Sequence, residues 1–179
     1  MRPRRPISLV EATECRRPLL AYDGSPAADR ALEASIELAS TSHGRLTILS
    51  AVVQIPYIAY TGAASEAVAE LRNSFLRDAE RVICRAVERV PQGIPVTKLV
   101  SARPIEQALL RQAREGDHDL VILGSRGRGP IRSALFGSVG RTMLRHGPLP
   151  VLIVTARPDE ASVPDETGAL IAPMTPRRA

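Results

Sequence analysis

Short apolar runs alternate along this chain with longer amphipathic segments, and this alternation restricts the possible folds more than any other feature. The apolar runs lie at 19–22, 45–53, 95–101, 119–123 and 149–154. The run DLVIL at 119–123 is continuous, as expected for a strand that is covered on both faces. Strands that alternate with helices form a parallel sheet. We therefore predict an α/β fold with an open, mostly parallel five-stranded sheet and helices on both faces.

Capping residues and helix breakers mark the predicted helices between these runs. Ser25 followed by Pro26 is typical of a helix start, and Gly44 is typical of a helix end. Apolar residues recur at helical spacing over 65–90, 104–114 and 138–146, which predicts three more helices.

Composition and length indicate one soluble domain between two extensions. The chain has 179 residues, of which 44% are hydrophobic, enough for one domain with a real core. We assign 1–17 to a basic Arg/Pro-rich arm, 18–155 to the folded domain and 156–179 to a disordered tail. No apolar run approaches the roughly 20 residues that span a bilayer, and the arm lacks a secretion signal's apolar core. We therefore expect no membrane contact and a cytoplasmic location.

The charge distribution argues weakly for anionic ligands and against nucleic acid. The net charge is +5, and the arm supplies +3 of it, because five arginines stand against Glu11 and Glu14. The short RGRG run at 126–129 is one copy without the flanking aromatic residues that stack on bases. Nucleic acid is therefore not an expected partner, although an arm that binds it is an alternative that steep salt dependence would support.

The segment GSRGRGPIRSALFGSV at 124–139 follows the fourth strand and precedes the last helix. It is not a Walker A loop, because no Lys precedes Ser138, and it is not a dinucleotide fingerprint, because Ile131 and Arg132 stand where the third glycine belongs. It contains Gly124, two residues, Gly127, nine residues and then Gly137-Ser138.

Gly127 allows a ligand to approach the backbone closely. Gly137 and Ser138 begin a helix, where free amides and the dipole favour phosphate, and the Ser138 hydroxyl can donate to phosphate or help to hold a metal ion.

This glycine spacing, between DLVILGSRG and PLPVLIV, resembles the ATP-binding motif of the universal stress protein family. The opening LLAYDGSPAADRAL resembles the first strand and turn of that family. The resemblance covers 18–155. It implies a Rossmann-like, adenine nucleotide alpha hydrolase-like fold with strand order 3-2-1-4-5, a role in stress response or signalling, and homodimers formed through the strand at 150–154. It also implies that the chain binds ATP, with Mg²⁺ or Mn²⁺.

The same resemblance implies the residues that bind the nucleotide. Asp23 would hydrogen-bond the adenosine, Ala21 would flank it, and the backbone of Ala51 would meet adenine. The remaining implied ligand residues are Gly124, Arg126, Gly127, Gly137, Ser138 and Val139. Two of these residues have simpler interpretations as well, because Asp23 can be only a turn aspartate and Arg126 only a solvated loop charge.

The residues indicate a nucleotide binder rather than a strong catalyst. The three histidines, His43, His118 and His146, lie in unrelated segments, and no pair of carboxylates has the pattern of a general acid and base. The chain is at most a slow ATPase.

Asp117-His118-Asp119 looks like a metal cluster, but three adjacent residues that enter a strand cannot all converge on one ion. The main alternative function is a dimeric protein-interaction module without nucleotide binding.

Overall fold

The computed structural model of the chain describes residues 15–52, 65–125 and 137–155. Five strands and four helices alternate in these ranges, as the apolar runs predict. The strands are β1 (Pro18–Ala21), β2 (Leu46–Ala51), β3 (Val96–Ser101), β4 (Leu120–Gly124) and β5 (Val151–Val154). The helices are α1 (Pro26–Thr41), α2 (Ser65–Glu88), α3 (Ile105–Glu115) and α4 (Ser138–His146).

All five strands are parallel and form one sheet with the order β3-β2-β1-β4-β5. This confirms both the predicted fold class and the 3-2-1-4-5 order. The central strand β1 pairs with β2 on one side, where Leu20 lies opposite Ile48, and with β4 on the other, where Leu20 lies opposite Ile122. The chain therefore builds the sheet outward from β1 in one direction and then in the other, and the direction reverses between β1 and β4.

Alternate residues of each strand point to two separate apolar layers. Leu20, Ile48 and Ile122 pack with α1 and α2 on one face. Leu19 and Val121 pack with α3 and α4 on the other face. The inner strands are therefore apolar at almost every position, because both of their faces are covered by helices.

Helix α1 begins and ends where its sequence signals predict. The Ser25 hydroxyl caps the helix by accepting a hydrogen bond from the backbone N–H of Ala28 at 3.2 Å. After the helix, His43 has a φ of 50°. A side chain on Gly44 would overlap the backbone carbonyl of Arg16, so glycine is needed there for the turn to lie against the segment before β1.

Helix α2 ends two residues earlier than its apolar spacing predicts. The prediction extended the helix to Val90, but the structure ends it at Glu88. Pro91 follows Val90, and a residue before proline is pushed out of the helical conformation. Val90 still packs against the first apolar layer, and its N–H donates to the carbonyl of Val87 at 3.0 Å. Val90 is therefore apolar because it packs against the core, although it lies beyond the end of the helix.

The Asp117-His118-Asp119 triplet holds the first described residues against the sheet. The carboxylate of Asp119 accepts hydrogen bonds from the backbone amides of Arg16 at 2.9 Å and Arg17 at 3.0 Å. Asp117 forms ion pairs with the side chains of Arg17 and Arg45. Burial lowers the pKa of His118 below its ordinary value. The two aspartates of the triplet thus bind the segment that precedes β1.

A polar network joins the end of β1 to the start of α1 and to the residue after α2. The Tyr22 side chain is only 6% exposed, and its hydroxyl donates to the carboxylate of Asp29 at 2.6 Å. Asp29 also pairs with Arg89. Burial, followed by the hydrogen bond to Asp29, raises the pKa of Tyr22 to about 12. The phenol is therefore held in its neutral form well above its ordinary value of 10.

We predict that Tyr22 makes the stability of the protein sensitive to alkaline pH. A folded-state pKa above the unfolded value means that the stabilisation is complete below pH 10 and is lost as the pH rises to 12. Replacing Tyr22 with Phe removes one buried hydrogen bond, at a cost of about 1 kcal/mol near neutrality. We therefore expect the difference in the free energy of unfolding between the unmodified protein and Tyr22→Phe to disappear between pH 10 and 12. Urea unfolding at increasing pH measures this difference. Parallel declines of the two proteins would contradict this prediction.

Candidate functional site

The candidate site lies at the carboxyl edge of the sheet, which we define as the edge where β1, β2 and β4 end. In open parallel sheets, ligands bind outside this edge at the point where the strand order reverses. That point lies between the neighbouring strands β1 and β4. Asp23 follows β1 by two residues and Gly124 ends β4, so the topology brings both residues to the same place.

Asp23 shapes the turn that leads from β1 into α1. Its carboxylate oxygen Oδ1 accepts a hydrogen bond from the backbone N–H of Ser25 at 3.0 Å. Gly24 between them has a φ of 74°, which glycine adopts without strain. The turn role that the sequence left open for Asp23 is therefore present in the structure, and the half-buried carboxylate remains at the carboxyl edge.

Ala21 and Ala51 are the last residues of the adjacent strands β1 and β2. Both are half-buried. The backbones beyond them stay paired, because Tyr22 N–H donates to the carbonyl of Leu49 at 2.9 Å and Val52 N–H donates to that of Ser101 at 2.9 Å. Neighbouring strands therefore end at the carboxyl edge in residues with small side chains, and the backbone after them remains hydrogen-bonded.

Gly124 has a packing role that the sequence did not indicate. A Cβ atom there would lie 2.7 Å from the carbonyl carbon of Ala27 and 2.9 Å from the backbone nitrogen of Ala28. The first turn of α1 therefore packs directly against the end of β4, and only glycine leaves room for it. Gly137 is different, because a Cβ atom there would have nothing within 4 Å and the residue is exposed.

Helix α4 presents its amino terminus at the carboxyl edge. Gly137 is its N-cap residue, and the N–H of Gly137 donates to the carbonyl of Ser125, just after β4, at 3.3 Å. No side chain caps this helix in the described part of the chain, and its first turn contains no acidic residue. Val139 is half-buried and packs against the second apolar layer, which anchors the first turn. The positive end of the helix dipole thus lies beside the end of β4.

The Ser138 hydroxyl has a partner that sequence reasoning missed. It donates to the carboxylate oxygen Oε1 of Glu106 at 2.8 Å. Glu106 lies in the first turn of α3, which packs against α4 on the same face of the sheet. The two residues are 32 positions apart, and no motif links them, so only the packing of α3 and α4 reveals the pair. The Ser138 hydroxyl, which the sequence predicts to contact phosphate, therefore donates to a carboxylate in this structure.

Seven of the nine predicted ligand residues lie along the carboxyl edge, at strand ends, in the turn after β1 or at the start of α4. They are Ala21, Asp23, Ala51, Gly124, Gly137, Ser138 and Val139. Arg126 and Gly127 lie outside the described residues. Among the residues that are described, no three His, Cys, Asp or Glu side chains are grouped so that they could hold a metal ion. None of the helices in the described ranges is long and apolar enough to cross a membrane.

The sequence matches a profile of the Universal stress protein family over residues 15–155. A curated relative from Thermus aquaticus, described as a universal stress protein in the QAH/OAS sulfhydrylase 3′ region, is 35% identical over 138 residues. The match covers 76% of this chain and 96% of that protein.

Solved structures share the fold of this chain at lower sequence identity. The hypothetical protein MJ0577 superposes with a TM-score of 0.70 and 19% identity, over 79% of this chain and 96% of that one. An Arabidopsis thaliana universal stress protein family protein with AMP bound has a TM-score of 0.54 and 18% identity, covering 80% and 94%. A universal stress protein in complex with cAMP has a TM-score of 0.52 and 24% identity, covering 80% and 99%.

We predict that the two glycines at the carboxyl edge respond differently to the same substitution. Gly124→Ala should destabilise the protein by about 1–3 kcal/mol, because the added methyl group overpacks the contact between β4 and α1. Gly137→Ala is the matched control and should cost less than about 1 kcal/mol, because its methyl group enters open space and only the capping preference changes. Urea denaturation followed by circular dichroism measures both values. Equal losses of stability would show that β4 and α1 are not in close contact.

Proposed function

We propose that this chain, which belongs to the universal stress protein family, binds an adenine nucleotide at the carboxyl edge of its sheet. The proposed ligand is ATP together with Mg²⁺ or Mn²⁺, and the proposed role is in stress response or signalling in the cytoplasm. The observation that carries the proposal is the placement of Gly137-Ser138 at the start of α4, beside the point where the strand order reverses. No side chain of the described residues caps this helix. Unpaired helix amides at such a place favour phosphate oxygens.

The ligands of structural relatives support the adenine part of the proposal. One relative of the same fold has AMP bound and another is in complex with cAMP. These ligands share an adenosine and one phosphate group, which suits a site with separate regions for the two parts. In this chain we assign the adenosine to the ends of β1 and β2, near Ala21, Asp23 and Ala51. We assign the phosphates to the segment from Gly124 through Arg126 and Gly127 to Gly137, Ser138 and Val139.

Asp23 can serve both the turn and a ligand. A carboxylate accepts several hydrogen bonds, so a ribose hydroxyl can donate to Asp23 while the Ser25 amide keeps its bond at 3.0 Å. The structural role of the residue and its proposed binding role are therefore compatible.

Glu106 explains why a divalent cation is expected with ATP. A phosphate that binds at α4 has to replace Glu106 as the acceptor of the Ser138 hydroxyl, which now lies 2.8 Å from the carboxylate. Phosphate oxygens beside that carboxylate repel it unless a cation lies between them. Mg²⁺ is commonly bound by one or two carboxylates together with substrate phosphates. Phosphate polarisation without a dedicated general base supports at most slow hydrolysis of ATP.

A homodimer formed through β5 is the second part of the proposal. β5 lies at the edge of the sheet, and Leu152 at its centre is 37% exposed. An apolar edge strand invites pairing with another strand, and the same strand of a second copy satisfies its backbone groups symmetrically. The alternative function, a dimeric interaction module without nucleotide binding, shares this feature and differs only at the carboxyl edge.

Calorimetric titration with AMP and with ATP plus Mg²⁺ tests the nucleotide site. We expect Asp23→Ala to weaken the binding of both nucleotides by roughly three- to tenfold, because each loses hydrogen bonds from the adenosine. We expect Ser138→Ala to weaken ATP more than AMP, because Ser138 contacts the phosphates. Ser40→Ala, a change at an exposed position near the other end of α1, is the control and should leave both affinities unchanged.

Three results would contradict these assignments. Equal losses for both nucleotides in Ser138→Ala would show that the role of Ser138 is wrong. Unchanged affinities in Asp23→Ala would show that the role of Asp23 is wrong. If the unmodified protein binds neither nucleotide at millimolar concentration, the interaction-module alternative replaces the proposal.

Light scattering at micromolar concentration tests the dimer. The chain has a mass of 19.3 kDa, and we expect about twice that value. Leu152→Asp should reduce the mass to that of a monomer, because its side chain is the exposed apolar one on β5. Val151 is a poorer probe, because it also packs against the second apolar layer. A monomeric mass for the unmodified protein would refute the dimer and leave the nucleotide proposal standing.

A further inference from the structure

A second candidate site lies at the amino edge of the sheet, which we define as the edge where the strands begin. An open cleft of about 490 Å³ lies there. Its lining includes the basic residues Arg16, Arg17, His43 and Arg45, together with Asp119. These residues come from the segments that precede β1, β2 and β4. The cleft is therefore built by the fold at the opposite edge from the proposed nucleotide site.

The cleft contains more positive than negative charge. Arg17 and Arg45 share one carboxylate, that of Asp117, and the distance from Arg45 to Asp117 is 2.6 Å. The other carboxylate, Asp119, is occupied mainly by the backbone amides of Arg16 and Arg17. Its distance to the side-chain Nε of Arg17 is 3.5 Å. Three guanidinium groups thus stand against two carboxylates, and His43 adds a fourth basic group.

The side chain of Arg16 supplies the excess charge. Within the described residues its guanidinium forms no ion pair, and the side chain is exposed. Its backbone is nevertheless fixed on both sides, because its N–H donates to Asp119 at 2.9 Å and its carbonyl accepts from the N–H of Arg45 at 2.8 Å. Arg16 is therefore a positioned residue with an uncommitted cationic group.

The turn between α1 and β2 holds the two sides of the cleft together. His43 adopts the left-handed region with a φ of 50°, and Gly44 lies directly against the Arg16 backbone with no room for a side chain. This close contact fixes the spacing between the Arg16 and Arg45 backbones. A ligand that bridges their side chains would therefore find the backbone of the site already in place, which lowers the ordering cost of binding.

We propose that this cleft binds a phosphoryl group, carried by a small molecule or by a phosphorylated protein side chain, between Arg16 and Arg45. Guanidinium groups are planar forks that pair with phosphate oxygens through two parallel hydrogen bonds. A phosphoryl dianion accepts such bonds from several directions at once, and Arg16, Arg45 and His43 approach from two chain segments. Its negative charge is attracted by the excess positive charge of the cleft. This inference does not depend on the nucleotide proposal, because the two sites lie at opposite edges of the sheet.

Titration of the ¹⁵N-labelled full chain with inorganic pyrophosphate at constant ionic strength, followed by NMR, tests the proposal. We expect saturable shifts of the backbone amide signals of Arg16, Gly44 and Arg45. Arg16→Gln should weaken this binding by roughly fivefold, the effect expected for a partly exposed charged pair. Its side chain forms no ion pair among the described residues, so the variant should fold normally. Arg77→Gln removes the same charge from an exposed position on α2 and should leave the affinity unchanged.

A second arm with a phosphoserine peptide identifies the source of the phosphoryl group. Tighter binding of the peptide than of pyrophosphate would indicate a phosphorylated protein, and the reverse order a small molecule. Shifts confined to Ser138 and Val139, with Gly44 and Arg45 unaffected, would overturn the proposal and place the anion at α4. Equal weakening by Arg16→Gln and Arg77→Gln would also overturn it, because the anion would then respond only to net charge.

Discussion

The pairing of β1 with β4 unites the two halves of the sheet. It joins Leu19 to Val121 and Leu20 to Ile122, two segments about a hundred residues apart, and it converts two stretches of alternating strands and helices into one sheet. Leu19 and Val121 then point into one apolar layer, and Leu20 and Ile122 point into the other. Because both faces are covered with aliphatic side chains, the pairing is buried in the core. The reversal of strand order beside it creates the candidate nucleotide site.

The residues at the carboxyl edge have roles in packing as well as proposed roles in binding. Gly124 leaves room for the backbone of α1, and Asp23 holds the turn before that helix. Both residues thus have structural roles whether or not a ligand binds. Gly137 and Ser138 are different, since the first faces open space and the second holds only an exposed hydrogen bond to Glu106. A nucleotide would therefore change the surroundings of α4 more than those of α1.

The amino edge is held together by charged groups as well as by the buried side chains of Leu46, Ile94 and Leu120. Asp119 holds the backbone of Arg16 and Arg17, and Asp117 joins Arg17 to Arg45. Such exposed ion pairs contribute little stability individually, but here they act together with backbone hydrogen bonds and the tight turn at Gly44. The same arrangement concentrates arginines around one cleft. The residues that hold the segments of the amino edge together therefore also form the proposed anion site.

Local sequence signals predict the strands and helices of this protein and the edge of the sheet at which its candidate site lies. Apolar periodicity, the Ser25-Pro26 start and the Gly44 stop are local signals, so the strands, most helix boundaries and the parallel sheet could be predicted from them. Packing across the sheet determines which groups that are distant in sequence come into contact. Ser138 with Glu106 and Arg89 with Asp29 are such contacts. The carboxylate of Asp119 with the backbone N–H of Arg16 is another. The requirement for glycine at position 124 also arises from packing, because β4 ends against the backbone of α1. Local sequence encodes backbone conformation and burial, whereas these contacts arise when helices and turns pack across the sheet, and no spacing along the chain records that geometry.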